Sequence, residues 1–207
     1  MEPATRIRVA AFDLDGTLLR GDTVCQVIAR RLGHLASTNE IERLRDRAAI
    51  ASARHELAGY YRPVSPDRLR AFLDDCTLAP GARQGLTLLK SRGSALVIVS
   101  ITWSVAVEHF TGRLGADHGV GTVLNHDGEI EHCWPDDKPQ WLASLMRQMH
   151  LTSTQVAAVG DSPGDAGMLN LRPHAFIVGR ALPSGLAAAH RPEGDILAIA
   201  REIVAIR

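Results

Sequence analysis

The sequence predicts an α/β protein with a mostly parallel β-sheet, helices on both faces of that sheet, and a small all-helical insertion. Short apolar runs typical of buried strands, such as VAAF at 9–12 and ALVIVS at 95–100, alternate with stretches of helical periodicity. Residues from about 20 to 78 show helical patterns alone. Because strands that alternate with helices pair in parallel, we expect one sheet covered on both sides.

The N-terminal third contains one strand followed by helices. The apolar run at 9–12 is long enough for a buried strand. Asp22 or Thr23 can cap the next helix, which we expect to stop near Gly33. Two further helices are predicted, one over about 39–59 and one from Ser65 or Asp67 through Leu73.

From Pro80 onward helices and strands alternate. Five helices are predicted in this part of the chain. The first ends near Gly93 and the second near Leu114, and the other three run over about 136–150, 164–171 and 195–206. The predicted strands are 95–100, 120–124, a short return strand at 129–132 after the Asp127-Gly128 turn, 156–159 and 175–178.

Composition narrows the range of partners and locations. Of 207 residues, 45% are hydrophobic and 22% are charged, as in ordinary globular proteins. Lys plus Arg equals Asp plus Glu at 23 each, so no global basic field predicts binding to nucleic acid or to a membrane surface. The three separated cysteines match neither a disulfide framework nor a zinc ribbon. Without a signal-peptide pattern at the N-terminus, we expect a protein of the reducing cytoplasm.

Polar side chains follow several of the predicted strands. Asp13 and Asp15 come directly after the first strand, Ser100 ends the second, and Asp161 and Asp165 follow the strand at 156–159. The carboxyl ends of parallel strands meet at one edge, so these groups are expected to converge there. Asp13, Asp161 and the backbone carbonyl of Asp15 would supply oxygen ligands for Mg²⁺, with Asp165 nearby.

The same edge offers donors for a phosphate group. Lys138 lies at the opening turn of a predicted helix, and Ser100 and Thr17 carry hydroxyl groups. Backbone N–H groups at Gly16 and Ile101 can point at an anion, because glycine permits the sharp turn that such a loop needs. The sequence therefore predicts a site that binds a metal ion and a phosphate together.

The residues of this predicted site resemble the four motifs of the haloacid dehalogenase-like superfamily, and they occur in the same chain order. The matching residues are Asp13-Leu14-Asp15-Gly16-Thr17-Leu18, Ser100, Lys138-Pro139, and Gly160-Asp161-Ser162 with Asp165. The resemblance implies a Rossmann-like core over residues 1–19 and 79–207, with residues 20–78 as a helical cap. It further implies Asp13 as nucleophile, Asp15 as general acid/base, Ser100 and Lys138 as phosphate binders, and Asp161 and Asp165 as carboxylates at the Mg²⁺ site.

The residues favour hydrolysis of a phosphate ester. A carboxylate beside a metal can attack phosphorus to give an aspartyl phosphate, and Asp15 can protonate the leaving oxygen. The family's dehalogenases lack this second aspartate, since halide needs no proton. A phosphotransferase or mutase using the same aspartyl phosphate, and a catalytically silent binding protein, are the alternatives.

The insertion resembles the lid of the phosphoserine phosphatase-like branch, in which a carboxylate and a lid arginine grip the substrate. Asp22 lies at the matching place for the carboxylate, and Arg47 or Arg54 for the arginine. Where that branch has glycines after the serine, this chain has Ile101-Thr102-Trp103, and Gly164 replaces an asparagine. Trp103 could form a wall of the pocket. Phosphoserine, another small amino- or hydroxy-metabolite phosphate, and a pathway-specific phosphate ester all stay open as substrates.

Overall fold

The computed structural model describes residues 6–171, 174–179 and 185–206. Its strands are β1 (Val9–Phe12), β2 (Leu19–Arg20), β3 (Thr77–Leu78), β4 (Ala95–Trp103), β5 (His118–Leu124), β6 (Ile130–Glu131), β7 (Val156–Gly160), β8 (His174–Val178) and β9 (Ala189–Arg191). Its helices are α1 (Val24–Leu32), α2 (Leu35–Ile41), α3 (Arg47–Tyr61), α4 (Pro66–Phe72), α5 (Ala82–Ser91), α6 (Ser104–Leu114), α7 (Asp137–Gln148), α8 (Ala166–Asn170) and α9 (Ile196–Ala205).

The main sheet has seven strands in the order β6-β5-β4-β1-β7-β8-β9. All neighbouring strands pair in parallel except β5 and β6, which form the hairpin that the Asp127-Gly128 turn predicts. The strand β1 lies at the centre, between β4 and β7. The predicted α/β fold with a mostly parallel sheet is therefore confirmed.

Both faces of the central strand are buried because apolar helices cover each of them. Val9 and Ala11 point into a cluster that includes Leu142 of α7 and Leu169 of α8. Ala10 and Phe12 point into a second cluster, which holds Leu86 and Leu89 of α5, Phe110 of α6 and Ile199 of α9. Alternate side chains of a strand face opposite sides, so a four-residue apolar run is enough to join both layers.

The segment between β2 and β3 is helical, as predicted. The helix α1 begins at a capping box, in which the Thr23 side chain accepts from the backbone N–H of Gln26, and it ends at the left-handed Gly33. The prediction of one helix over about 39–59 is wrong, since two helices, α2 and α3, occupy this region. Asp46 separates them by accepting a hydrogen bond from the backbone N–H of Ala49, which starts a new helix there.

Three short strands were not predicted. The strands β2 and β3 pair as an antiparallel ribbon, with Leu19 opposite Leu78 and Arg20 opposite Thr77. The strand β9 extends the sheet beside β8. Strands of two or three residues are too short to show a period in the sequence. In the described part of the chain, no helix combines the length and the apolar character needed to cross a membrane.

Candidate active site

The strand register brings the predicted polar residues to one edge of the sheet. Phe12 pairs with Ile98 of β4 and with Val159 of β7. Asp13 therefore lies level with the next residues along both neighbouring strands, and Ser100 and Asp161 lie one residue beyond that level. Parallel pairing explains how residues far apart in the chain come together at the carboxyl ends of three adjacent strands.

Lys138 connects two carboxylates at the centre of this edge. Its Nζ donates to Asp13 Oδ1 and to Asp165 Oδ1, both at 2.7 Å. The lysine side chain is only 3% exposed. Burial by itself would lower the pKa of Lys138, but the two adjacent carboxylates raise it overall. The site therefore holds a fixed positive charge next to Asp13.

Asp165 shapes the loop that follows β7. Its Oδ2 accepts three hydrogen bonds of 3.1 Å, from the backbone N–H groups of Asp161 and Ser162 and from the Ser162 hydroxyl. Its Oδ1 accepts from Lys138. Because both oxygens already accept hydrogen bonds, Asp165 fixes the position of Asp161 and Lys138.

Three carboxylates of the site could hold a cation. Asp13, Asp161 and Asp165 each offer an oxygen within 4.8 Å of the others. Burial, and then the neighbouring Asp165, raises the pKa of Asp13 and raises that of Asp161 to about 6. The single lysine leaves an excess of negative charge, which a divalent cation would offset. An all-oxygen set of this kind fits Mg²⁺, with Asp13 and Asp161 as the carboxylate ligands.

Gly16 and Thr17 bring the loop after β1 against Asp161. Gly16 has a φ of +81°, and a Cβ at this position would collide with the Asp161 carboxylate. Glycine is therefore required both by the backbone conformation and by the close approach. The Thr17 hydroxyl donates to Asp161 Oδ1 at 3.3 Å. Thr17 thus contacts the predicted metal ligand directly.

Asp15 faces the beginning of α1. Its Oδ1 accepts from the backbone N–H of Val24 at 2.8 Å. Burial raises the pKa of Asp15 to about 6, although this hydrogen bond acts in the opposite direction. A carboxyl group with such a pKa can hold or release a proton near neutral pH, which general acid/base chemistry requires.

The strand β4 continues past Ser100 to Trp103, and its residues after Ser100 are held from two sides. Ser100 is buried, and its Oγ accepts from the backbone N–H of Thr102 at 3.4 Å. The Ile101 carbonyl accepts from Arg54 Nη2 at 3.0 Å and from the Thr122 hydroxyl at 2.9 Å. The Ile101 side chain is 37% exposed beside the site. These contacts fix the peptide between Ile101 and Thr102, which directly follows the Ile101 N–H that the sequence predicts to bind phosphate.

The two candidate lid arginines contact the same aromatic ring. The guanidinium carbons of Arg47 and Arg54 each lie 4.5 Å from the centre of a Trp134 ring. Arg54 is buried, and it also donates to the Cys133 carbonyl at 3.2 Å. Arg47 is exposed, and its side chain forms no hydrogen bond with the described residues. Arg54 therefore joins the helical segment to the core, while Arg47 keeps free donors.

Asp22 and Trp103 have other contacts. Asp22 forms a 2.5 Å ion pair with Arg30 on the surface, and Thr23, not Asp22, caps α1. Trp103 is 3% exposed and packs edge to face against Tyr61, with ring centres 5.5 Å apart. The structure thus brings Asp22 to a surface arginine and Trp103 to the interface with α3.

Two residues near the site were missed by the sequence analysis. Arg20 donates to the backbone carbonyls of Gly16 and Thr17 and, at 3.2 Å, to that of Gly194. Glu42 accepts from the Thr23 hydroxyl, and its charge raises the pKa of Asp15. Neither residue belongs to a recognisable motif, so only the folded structure relates them to the site.

Comparison with known proteins gives several phosphoserine phosphatases as relatives. The chain is 24% identical over 188 residues to a probable phosphoserine phosphatase of Schizosaccharomyces pombe, covering 80% of this chain and 59% of that protein. It is 24% identical over 173 residues to a phosphoserine phosphatase of Campylobacter jejuni subsp. doylei, covering 79% and 83% of the two chains. The chain thus spans 59% of the length of the S. pombe relative.

Solved structures share the fold. A substrate-bound phosphoserine phosphatase superposes with a TM-score of 0.79 at 18% identity, covering 95% of this chain and 98% of the other. A structure described as a HAD family hydrolase, from Salmonella enterica subsp. enterica serovar Typhi, superposes with a TM-score of 0.75 at 22% identity, covering 88% of this chain and 65% of the other. At these identities the likeness concerns the fold.

The family itself is given by a match to a protein-family model. The model described as haloacid dehalogenase-like hydrolase matches residues 10–170, which include Asp13, Ser100, Lys138 and Asp161. The resemblance predicted from the sequence, with phosphoserine phosphatases as relatives, is confirmed. The chain therefore belongs to the haloacid dehalogenase-like hydrolase family.

Proposed function

We propose that this protein is a Mg²⁺-dependent phosphatase that hydrolyses a small phosphomonoester through an aspartyl phosphate on Asp13. The observation that carries this proposal is the position of Lys138, which holds Asp13 and Asp165 at 2.7 Å each beside Asp161. A nucleophilic carboxylate, a fixed cation and a set of oxygen ligands are the parts that phosphoryl transfer needs.

In the first step, an oxygen of Asp13 attacks phosphorus and the bond between phosphorus and the ester oxygen breaks. Asp15 gives its proton to the departing oxygen, so the product leaves as an alcohol. Lys138 and the Ser100 hydroxyl bind non-bridging phosphoryl oxygens, together with the backbone N–H groups of the two loops. Bound Mg²⁺ would supply positive charge beside the phosphoryl oxygens, held by Asp13, Asp161 and the Asp15 carbonyl.

In the second step, water hydrolyses the aspartyl phosphate. Asp15, now a carboxylate, takes a proton from the water as its oxygen attacks phosphorus. The bond between phosphorus and the Asp13 oxygen breaks, which restores the Asp13 carboxylate and releases inorganic phosphate. The pKa of about 6 at Asp15 suits a group that must both give and take a proton.

The helical segment 20–78 would act as the cap that selects the substrate, on a core formed by 1–19 and 79–207. Relatives that are phosphoserine phosphatases support phosphoserine or a similar small metabolite phosphate. Arg47 is the better candidate for an anionic group of the substrate, because the donors of Arg54 are engaged by the Ile101 and Cys133 carbonyls. The cytoplasmic location stays a prediction from the sequence.

The test is phosphate release from 4-nitrophenyl phosphate and from a panel of phosphorylated metabolites that includes phosphoserine. We expect hydrolysis with Mg²⁺, loss of activity after chelation with EDTA, and recovery when Mg²⁺ is returned. Adding acceptor alcohols distinguishes hydrolysis from transfer, since a phosphotransferase would form new esters in place of free phosphate. Full activity in EDTA, or no release from any ester with Mg²⁺ present, would contradict the proposal.

A further inference from the structure

The half-buried His132, which directly follows β6, contacts an arginine in a way that fixes its protonation state. Its Nδ1 lies 3.0 Å from Nη1 of Arg54. A guanidinium stays charged in proteins and can only donate, so Nδ1 must offer a lone pair and His132 must be neutral. A protonated imidazole would turn an N–H towards the Arg54 donor, and the hydrogen bond would be lost. The observed contact therefore belongs to the neutral form of His132.

The same guanidinium holds the end of β4. Arg54 Nη2 donates to the Ile101 carbonyl at 3.0 Å and to the Cys133 carbonyl at 3.2 Å. Because a guanidinium is planar and rigid, an acceptor at Nη1 also fixes the direction in which Nη2 points. The acceptor on His132 thus keeps Arg54 aligned with the carbonyl of Ile101, the residue that follows Ser100.

Neighbouring residues hold His132 in place at the end of the β5–β6 hairpin. The N–H of Cys133, the next residue, donates to the Thr122 hydroxyl at 3.1 Å, and that hydroxyl donates to the Ile101 carbonyl at 2.9 Å. The His132 ring stacks on the Trp134 ring, with ring centres 4.9 Å apart. The imidazole is therefore a fixed acceptor on the core, which Arg54 reaches from the helical segment.

The charges that act on His132 from α3 are positive. They belong to Arg54, His55 and Arg47. The His55 ring meets the His132 ring edge to face, with ring centres 6.4 Å apart. Burial, and then these three charges, lowers the pKa of His132 below its ordinary value. The surroundings on α3 therefore favour the neutral form that the contact with Arg54 requires.

The ionisable groups near His132 in the chain do not offset this effect. The Glu131 carboxylate accepts from the Asn125 side chain at 2.9 Å, and the Asp137 carboxylate accepts from the Trp134 N–H at 2.8 Å. Burial raises the pKa of the Cys133 thiol, so this thiol is neutral. A proton on His132 would thus add a positive charge that no adjacent carboxylate in the described part of the chain pairs with.

We propose that neutral His132 is a positioning residue for the proposed reaction, because it holds Arg54 on the Ile101 carbonyl and thereby fixes the end of β4 that binds phosphate. This inference rests on the proposed function, in which the Ile101 N–H binds a phosphoryl oxygen. Protonation of Nδ1 removes the acceptor and repels Arg54, so the Ile101 peptide loses its support. The loss occurs below about pH 6.5, the ordinary pKa of histidine. Activity then falls in acid for a reason separate from the titration of Asp15.

The test compares two variants of His132 with the wild type from about pH 8 to about pH 5. His132→Asn places an amide oxygen close to the position of Nδ1, so an acceptor remains that cannot be protonated. His132→Phe keeps a ring on Trp134 but offers no acceptor. We expect kcat of His132→Asn for 4-nitrophenyl phosphate to match the wild type at the upper pH and to exceed it at least about threefold at the lower. His132→Phe should be slower than His132→Asn throughout. Asp15 is present in all three proteins, so its titration cancels in the ratios.

Arg54→Met and an exposed histidine provide the controls. Without the guanidinium, adding His132→Asn or His132→Phe should change kcat no further, because the two residues act through one contact. His126→Asn removes an exposed histidine in the turn of the same hairpin and should leave the pH profile of kcat unchanged. NMR titration of the His132 ring protons gives a readout without activity. The pKa of His132 should lie below the ordinary value of histidine and should rise in Arg54→Met.

The outcomes separate this inference from the proposed function. If the ratio of kcat between His132→Asn and the wild type stays constant over the pH range, or if the effects of His132→Phe and Arg54→Met simply add, His132 does not position Arg54 and the phosphatase proposal stands. An unchanged pKa of His132 in Arg54→Met would contradict the contact itself. If the wild type hydrolyses no phosphate ester at any pH, the proposed function is wrong and the role of His132 in it is wrong as well.

Discussion

The edge of the sheet and the helical segment above it differ in how completely their charges are paired. At the edge, Lys138 is buried between Asp13 and Asp165, and the second oxygen of Asp165 accepts three further hydrogen bonds. In the helical segment, Arg47 lies over the face of Trp134 and has no ion pair among the described residues, and Glu42 has no cationic partner among them either. The edge is built as a fixed network, whereas the helical segment keeps unpaired groups.

Under the proposed function, this difference separates the residues that react from the residues that select the substrate. Phosphoryl transfer is similar for all monoesters, so buried hydrogen bonds can fix the protein groups that carry it out before any substrate binds. The leaving group varies between substrates, and it must be recognised by groups that are free until it binds. The paired edge therefore fits the chemistry, and the unpaired segment fits specificity.

The largest effect is expected from Asp13→Asn, which removes the proposed nucleophile from the paired edge. Turnover of 4-nitrophenyl phosphate should fall by more than about 10³-fold, because no other carboxylate takes its place. Steady-state phosphate release measures this. The melting temperature without metal should stay equal or rise, because one of three crowded carboxylates is lost. Activity within tenfold of the wild type would refute the role of Asp13.

Lys138→Met tests whether the edge depends on its buried cation. The variant leaves Asp13 and Asp165 buried without their partner, and should lower the free energy of unfolding by about 3–5 kcal/mol. Urea denaturation measures this change. The control is Lys90→Met, since Lys90 pairs with Asp117 at 2.9 Å but its side chain is 50% exposed. That variant should cost at most about 1 kcal/mol, and equal losses would contradict the comparison.

Arg54→Met tests the connection between the two regions. It removes hydrogen bonds to the Ile101 and Cys133 carbonyls, and should lower the free energy of unfolding by about 1.5–3 kcal/mol. Urea denaturation again provides the measurement. Because the Ile101 peptide loses a contact, kcat should fall as well. An unfolding free energy unchanged within about 0.5 kcal/mol would show that the helical segment does not depend on this arginine.

Arg47→Met should have the smallest effect on stability, at most about 1 kcal/mol. If Arg47 binds an anionic group of the substrate, KM for phosphoserine should rise several-fold while kcat changes little. Steady-state kinetics with phosphoserine and with propyl phosphate measures KM and kcat separately for each substrate. The matched control is Arg68→Met, whose guanidinium lies 5.8 Å from the centre of the Phe72 ring on an exposed face. An equal rise in KM for both variants would exclude a specific role for Arg47.

The sequence was sufficient for the edge because topology alone brings it together. Asp13, Ser100 and Asp161 follow apolar runs, and parallel pairing places the ends of such runs side by side. Lys138 joins them because the start of its helix lies at the same edge, although its contacts with Asp13 and Asp165 were not predicted. The backbone topology places these residues, so their positions do not depend on which of several possible partners a side chain contacts.

The sequence was insufficient where several partners compete at similar energy. Asp22 pairs with Arg30 on the surface. An exposed ion pair of this kind contributes at most about 1 kcal/mol to stability, so no strong local preference determines the partner of Asp22. The break between α2 and α3 depends on the cap at Asp46, inside a stretch whose periodicity favours a continuous helix. Arg20 binds carbonyls as far away as Gly194, a contact that no local pattern contains.

The ribbon formed by β2 and β3 has a consequence for how such proteins diversify. Because Leu19 lies opposite Leu78, the chain departs and returns at adjacent points, and everything between them is spanned by one pair of strands. An insert of different length or sequence could be exchanged at this junction without moving any strand of the seven-stranded sheet. The same edge of the sheet could in this way be combined with many different helical segments during evolution.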